Sequence, residues 1–167
     1  MMSESERRFL VKLNALHPGA AGAAGYGDEA SRTSTEARLR DGLVEEMARL
    51  RAKIDELMRA AEEEGEEDMR DDLGRIGERM ERTADALAGG EATAFAGRGE
   101  VSPADRELVS GYDLQLLEDM ELLQRDVMGM KYETIGTLTL REVEGTLAAI
   151  ELKVVNRKDV LETSGGS

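Results

Sequence analysis

Cysteine is absent from the 167 residues, which removes disulfides, thiol chemistry and thiolate metal sites and leaves the redox compartment open. Histidine occurs once, at His17 just before Pro18, whereas zinc and di-iron sites in helical bundles take several. Tryptophan is missing and aromatic residues make up 3% of the chain. Leu, Met, Val, Ile and Ala must therefore build any core, and these suit helix seams better than a compact sheet interior. No apolar run reaches the roughly 20 residues needed to span a bilayer, and the first residues lack a secretory pattern. The expectation is a cytoplasmic protein with no membrane span, no metal, no cofactor and no catalytic residues, and hence not an enzyme.

The formal charge of −14 divides as +1 over residues 1 to 16, −9 over 17 to 100 and −6 over 101 to 167. Nucleic acid is disfavoured as a partner, because a phosphate-binding surface clusters Lys and Arg while the arginines here alternate with carboxylates at helical spacing. Peripheral membrane contact is disfavoured too. Arg7, Arg8 and Lys12 are few, and a segment charge of +1 gives little attraction to anionic lipid.

What the chain does contain is two apolar ladders that each reverse on themselves. The first is Leu43, Met47, Leu50, Ile54, Leu57 and Ala61, followed by Met69, Leu73, Ile76, Met80, Thr83 and Leu87, with the positions of each outer pair adding to 130. The second runs Val109, Asp113, Leu116, Met120, Leu123, Val127 and Met130, then Leu140, Val143, Leu147, Ile150, Val154, Arg157 and Leu161, with pairs adding to 270. Alternating steps of 4 and 3 keep one seam towards a partner helix, so both ladders predict antiparallel helical pairs. The only polar layer of the second ladder sets Asp113 opposite Arg157.

The predicted fold class is all-α: two antiparallel helical hairpins, like a coiled coil or four-helix bundle, plus a short tethered N-terminal helix. Residues 1–16 carry that helix, with Ser3 and Glu6 as a capping box. Residues 17–33 are too rich in Gly and Ala to hold a regular element and read as a tether. Residues 34–88 form a charged hairpin turning at Gly65, or one continuous helix that would pair antiparallel with a second copy. Residues 89–101 read as a Gly-rich linker, in which Phe95 packs locally or anchors the loop on a partner. Residues 102–162 form the second hairpin, opened by Ser102 and Pro103 and resumed at a Thr139–Glu142 capping box, and 163–167 are a tail.

Candidate functional residues fall in three groups. Phe9, Leu10, Leu13 and Leu16 line one face of the leashed first helix, which suits docking into a partner's groove or folding back on the chain itself. Leu116, Met120, Leu123, Val127, Val143, Leu147, Ile150 and Val154 form the second seam. Leu108, Leu114, Leu117, Leu122, Met128, Leu152 and Val155 widen its apolar face, so a cover is needed, from the first hairpin or from a second copy; the reading taken is that residues 103–162 self-associate. The acidic run from Glu62 to Asp68 has no calcium-loop spacing and reads as solvated. The glycines at 19–27 and 97–99 lack a phosphate-loop order, and the methionines sit at core positions.

Lys131, Tyr132, Glu133, Thr134, Ile135, Gly136, Thr137 and Leu138 resemble the segment after the first helix of β-type prefoldin subunits, chaperones with paired helical tentacles. The resemblance covers these eight residues and implies a β-hairpin there and a chaperone function. A prefoldin-like chain also has more hairpin residues and a longer last helix than are present. The functional expectation is a non-enzymatic scaffold or adaptor that homo-oligomerises through its C-terminal hairpin and recruits other proteins within a larger assembly. A prefoldin-like or holdase chaperone is the alternative.

Overall fold

The structure is a computed structural model that describes residues 2–18, 24–89, 95 and 98–164, the side chains of Thr163 and Ser164 excepted. Among these residues the elements are α1 (Glu4–Leu16), α2 (Glu29–Glu63), α3 (Glu67–Ala88), α4 (Pro103–Met128), a 3₁₀ turn (Tyr132–Thr134) and α5 (Thr137–Ser164), with no strand. No helix among them is long and apolar enough to cross a membrane.

Local signals place most helix starts. The Ser3 hydroxyl accepts the Glu6 N–H at 3.1 Å, and the Ser102 hydroxyl accepts the Asp105 N–H at 3.1 Å ahead of Pro103. Helix α5 begins at Thr137, two residues before the expected capping box. The first ladder is a hairpin, not a continuous helix. The chain reverses at Gly65, whose φ of +74° is a left-handed conformation that a Cβ disfavours, and the Glu66 N–H donates to the Ala61 carbonyl at 2.9 Å. Arg51 of α2 sets the register across the hairpin by donating to the Gly77 carbonyl and to Glu81 of α3.

The two hairpins close into a four-helix bundle. Helix α2 packs on α3 and α4, α5 packs on α3 and α4, and α1 lies over α4 and touches α2. The bundle thus supplies its own cover. Leu116, Met120, Leu123, Val127, Val143, Leu147 and Ile150, expected at an interface between copies, are all buried within one chain, and Val154 is half-buried. The reason is the first hairpin: its seam meets the second in one continuous core, so no second copy is required to hide these side chains.

The expected 17–33 tether also changes. Helix α2 starts at Glu29, capped by Asp28, whose carboxylate accepts the Ser31 N–H at 2.8 Å, and Tyr26 just before it is fully buried. Residues 19–23 lie outside the described residues, as do 90–94, 96 and 97 of the linker and 165–167 of the tail. The segment that resembles prefoldin forms the 3₁₀ turn rather than a β-hairpin, and the α2–α3 pair is folded into the bundle instead of projecting.

Candidate functional site

At the end of the bundle opposite the two hairpin turns, five parts of the chain bring charge and aromatic rings into the core. Asp113 of α4 and Arg157 of α5 face each other as the ladder arithmetic requires: Arg157 Nε donates to Oδ1 at 2.8 Å and Nη2 to Oδ2 at 2.9 Å. The Tyr26 hydroxyl donates to the same Oδ2 at 2.5 Å, and Arg157 Nη2 also reaches Glu36 Oε1 of α2 at 3.2 Å. Asp113 is wholly buried and Glu36 is 1% exposed.

A second arm joins α1 to this network. Glu6 is fully buried; its carboxylate accepts the Tyr26 N–H at 2.8 Å and the Arg106 Nε–H at 2.5 Å. Thr35 of α2 bonds both the N–H and the carbonyl of Gly25, at 3.1 and 2.9 Å. The positive φ of Gly25 and the close approach of the Glu6 carboxylate to where a Cβ would stand favour glycine there. The rings complete the packing: Phe9 stacks on Tyr26 with centroids 5.4 Å apart, Phe95 meets Tyr26 edge-on at 5.1 Å, and the Arg32 guanidinium lies 5.7 Å from the Phe95 centroid. Arg32 also donates to the Gly99 carbonyl.

Burial, reinforced by the Asp113 carboxylate, pushes the Tyr26 hydroxyl well above the usual tyrosine range. Burial is the strongest single influence and works against the Arg157 charge, yet Asp113, Tyr26 and Glu36 together outweigh it and hold the guanidinium above its ordinary value. Each buried carboxylate bonds a guanidinium, so the arrangement locks helices together rather than activating a nucleophile.

The residues expected to dock a partner are placed on the chain's own core. Phe9 and Leu13 are fully buried and Leu10 nearly so, while Leu16 is half-buried. Burying each such side chain is worth about 1.5–3 kcal/mol. The exposed pairs Arg8–Glu118 (3.0 Å) and Lys12–Glu121 (2.5 Å), which align the basic side of α1 on acidic α4, add about 0.2–1 kcal/mol each. The apolar contacts therefore decide the docking, and the helix is engaged rather than presented.

Two surface features remain. Leu108 and Leu122 of α4, and Leu152 and Val155 one turn apart on α5, are 47%, 37%, 60% and 62% exposed. Met128 stays exposed as well, whereas Leu114 and Leu117 are covered. Beside Val155 a cavity of about 200 Å³ opens between α2, the end of α3 and the last turns of α5. Leu39, Leu43, Leu116 and Leu161 line it, with Arg40 and Lys158 among its polar neighbours. Among the described residues no three His, Asp or Glu side chains converge as a metal site, and the acidic tip from Glu62 to Asp68 is exposed throughout.

Sequence reasoning missed Glu6, Tyr26, Arg32, Glu36 and Arg106. Tyr26, a lone ring in a glycine-rich stretch, carried a local hint, and Glu6 reads only as half of a capping box; the others occupy positions that read as solvated helix faces. No family model matches the chain, and neither a curated protein nor a solved structure is found to be similar to it.

Proposed function

We propose that the protein is a non-enzymatic helical adaptor that self-associates through exposed apolar side chains of α4 and α5. The observation that supports this is the set of exposed apolar side chains Leu108, Leu122, Leu152 and Val155 on the same hairpin, in a chain of which 35% of residues are charged. Two copies meeting there would bury uncharged surface and keep their acidic helices apart. This shifts self-association from the seam, which is internal, to apolar side chains that stay exposed on α4 and α5.

The test is the absolute mass of the full chain by multi-angle light scattering, beside Leu122→Glu combined with Leu152→Glu. A mass above one chain for the unaltered protein, reduced to one chain by the pair of substitutions at unchanged helix content, supports the reading. A single-chain mass for the unaltered protein over the accessible concentration range overturns it. A holdase would use the same exposed side chains and differs in one observable: it suppresses the aggregation of a heat-denatured client, whereas the adaptor leaves that aggregation unchanged.

A further inference from the structure

We infer, resting on the self-association proposed above, that two copies of the chain pair α5 against α5, antiparallel, about a two-fold axis that crosses the helix opposite Ile150. Helix α5 carries a ladder on each side. The inner one, with Val143, Leu147 and Ile150, is buried in the bundle. The outer one is Arg141, Gly145, Ala148, Leu152, Val155 and Asp159, again in alternating steps of 4 and 3. It is turned to solvent: Ala148 is half-buried and the other five are exposed. Such steps hold one seam towards a second helix, and among the described residues no helix of this chain covers it.

The occupant is a second copy because the outer ladder complements itself when reversed. Pairs whose positions add to 300 set Gly145 opposite Val155 and Ala148 opposite Leu152, so each large side chain meets a small one. The same register sets Arg141 opposite Asp159, which joins opposite signs at both ends. Run parallel, the ladder would stack Leu152 on Leu152, Gly145 on Gly145 and like charges at either end. Exposed ion pairs add little, so the charges choose the orientation and the side-chain sizes supply the fit. Gly145 is the hole. Glycine within a helix is unfavourable relative to alanine, and a Cβ built at Gly145 meets nothing within 4 Å. Packing inside one chain therefore gives no reason for it, whereas the facing Val155 of a second copy does.

The chain has no cysteine, so introduced thiols report the pairing directly. A disulfide needs Cα atoms within about 7 Å. Antiparallel copies bring position 145 against 155, whereas each of these positions lies about 15 Å along the axis from its own equivalent. An equimolar mixture of full-length Gly145→Cys and Val155→Cys, oxidised in air, is expected to yield a disulfide-linked dimer, and either variant alone at least tenfold less of it. Gly145→Leu fills the hole and is expected to lower the association constant from light scattering at least tenfold, with no loss of thermal stability. Self-linking of either cysteine variant alone overturns the antiparallel seam and leaves the adaptor reading standing. An unlinked mixture of protein that light scattering shows to be associated does the same, as does unaltered association of Gly145→Leu. A single-chain mass for the unaltered protein overturns both.

Discussion

Asp113 and Arg157 share two hydrogen bonds, 2.8 and 2.9 Å long, across the α4–α5 seam with the carboxylate wholly buried. Removing one partner from such a pair strands the other charge, which costs about 3–5 kcal/mol. Asp113→Ala is expected to lose that much in urea unfolding at neutral pH. Asp113→Leu with Arg157→Leu should cost at least about 1 kcal/mol less than the two single leucine substitutions added together, because Arg157→Leu alone takes the guanidinium from both Asp113 and Glu36, whereas the double change takes it from Glu36 only. Additive single and double effects would show that the pair is not a unit.

That pair was legible in the sequence because both residues interrupt apolar ladders at matched positions, where a polar side chain has to find its complement. Gly65 was legible for a similar reason, since it sits at the centre of the first mirror. Glu6, Arg32, Glu36 and Arg106 were not. Each sits among other charged residues on a helix, and nothing within a few positions separates a buried carboxylate from a solvated one. Tertiary partners far along the chain decide it. Helix α2 starts at Glu29 for the same reason: Tyr26 and Arg32 gain ring and carbonyl partners that local propensity does not register.

Tyr26→Phe keeps the stacking on Phe9 and Phe95 and removes the hydrogen bond to Asp113. A hydrogen bond to a charged group is worth about 1.5–3 kcal/mol, and a loss of that size is expected at neutral pH. The folded-state pKa is raised, so the hydroxyl's contribution is complete below the unfolded value of about 10 and declines as pH rises past it. The gap between wild type and Tyr26→Phe in denaturant titrations should therefore narrow above pH ~10. A gap independent of pH would mean that Tyr26 ionises alike in both states.

Gly65→Ala isolates backbone strain at the first turn, because a Cβ there meets nothing within 4 Å while φ is +74°. The left-handed conformation costs an L-residue about 1–2 kcal/mol, and a domain of this size shifts its melting temperature by about 2–4 °C per kcal/mol. Gly65→Asn should lose less than Gly65→Ala, since asparagine tolerates this region better. The reverse order in calorimetric melts would contradict the turn.

At Gly42 the end of α1 lies close against α2: an added Cβ would stand 2.9 Å from His17 Cβ and 3.5 Å from Leu16 Cδ2. Gly42→Leu should push the last turn of α1 outwards, at a cost of about 1–3 kcal/mol for overpacking. Hydrogen exchange should quicken in α1 and stay unchanged through Leu50–Leu57 of α2. Uniform acceleration in both helices would mean that α1 does not yield independently.

The ion pairs that join α1 to α4 and α2 to α5 link residues 100 and 121 positions apart, Glu6 with Arg106 and Glu36 with Arg157. During synthesis on a ribosome the N-terminal end emerges first, so Glu36 and Asp113 exist for a time with Arg157 not yet made. A nascent chain can form the first hairpin from its own local seam, but the charged knot at the far end stays untied until the last helix is released. The knot can therefore close only once α5 has been made, and a chain that stops before Arg157 carries two carboxylates into its core without their guanidinium.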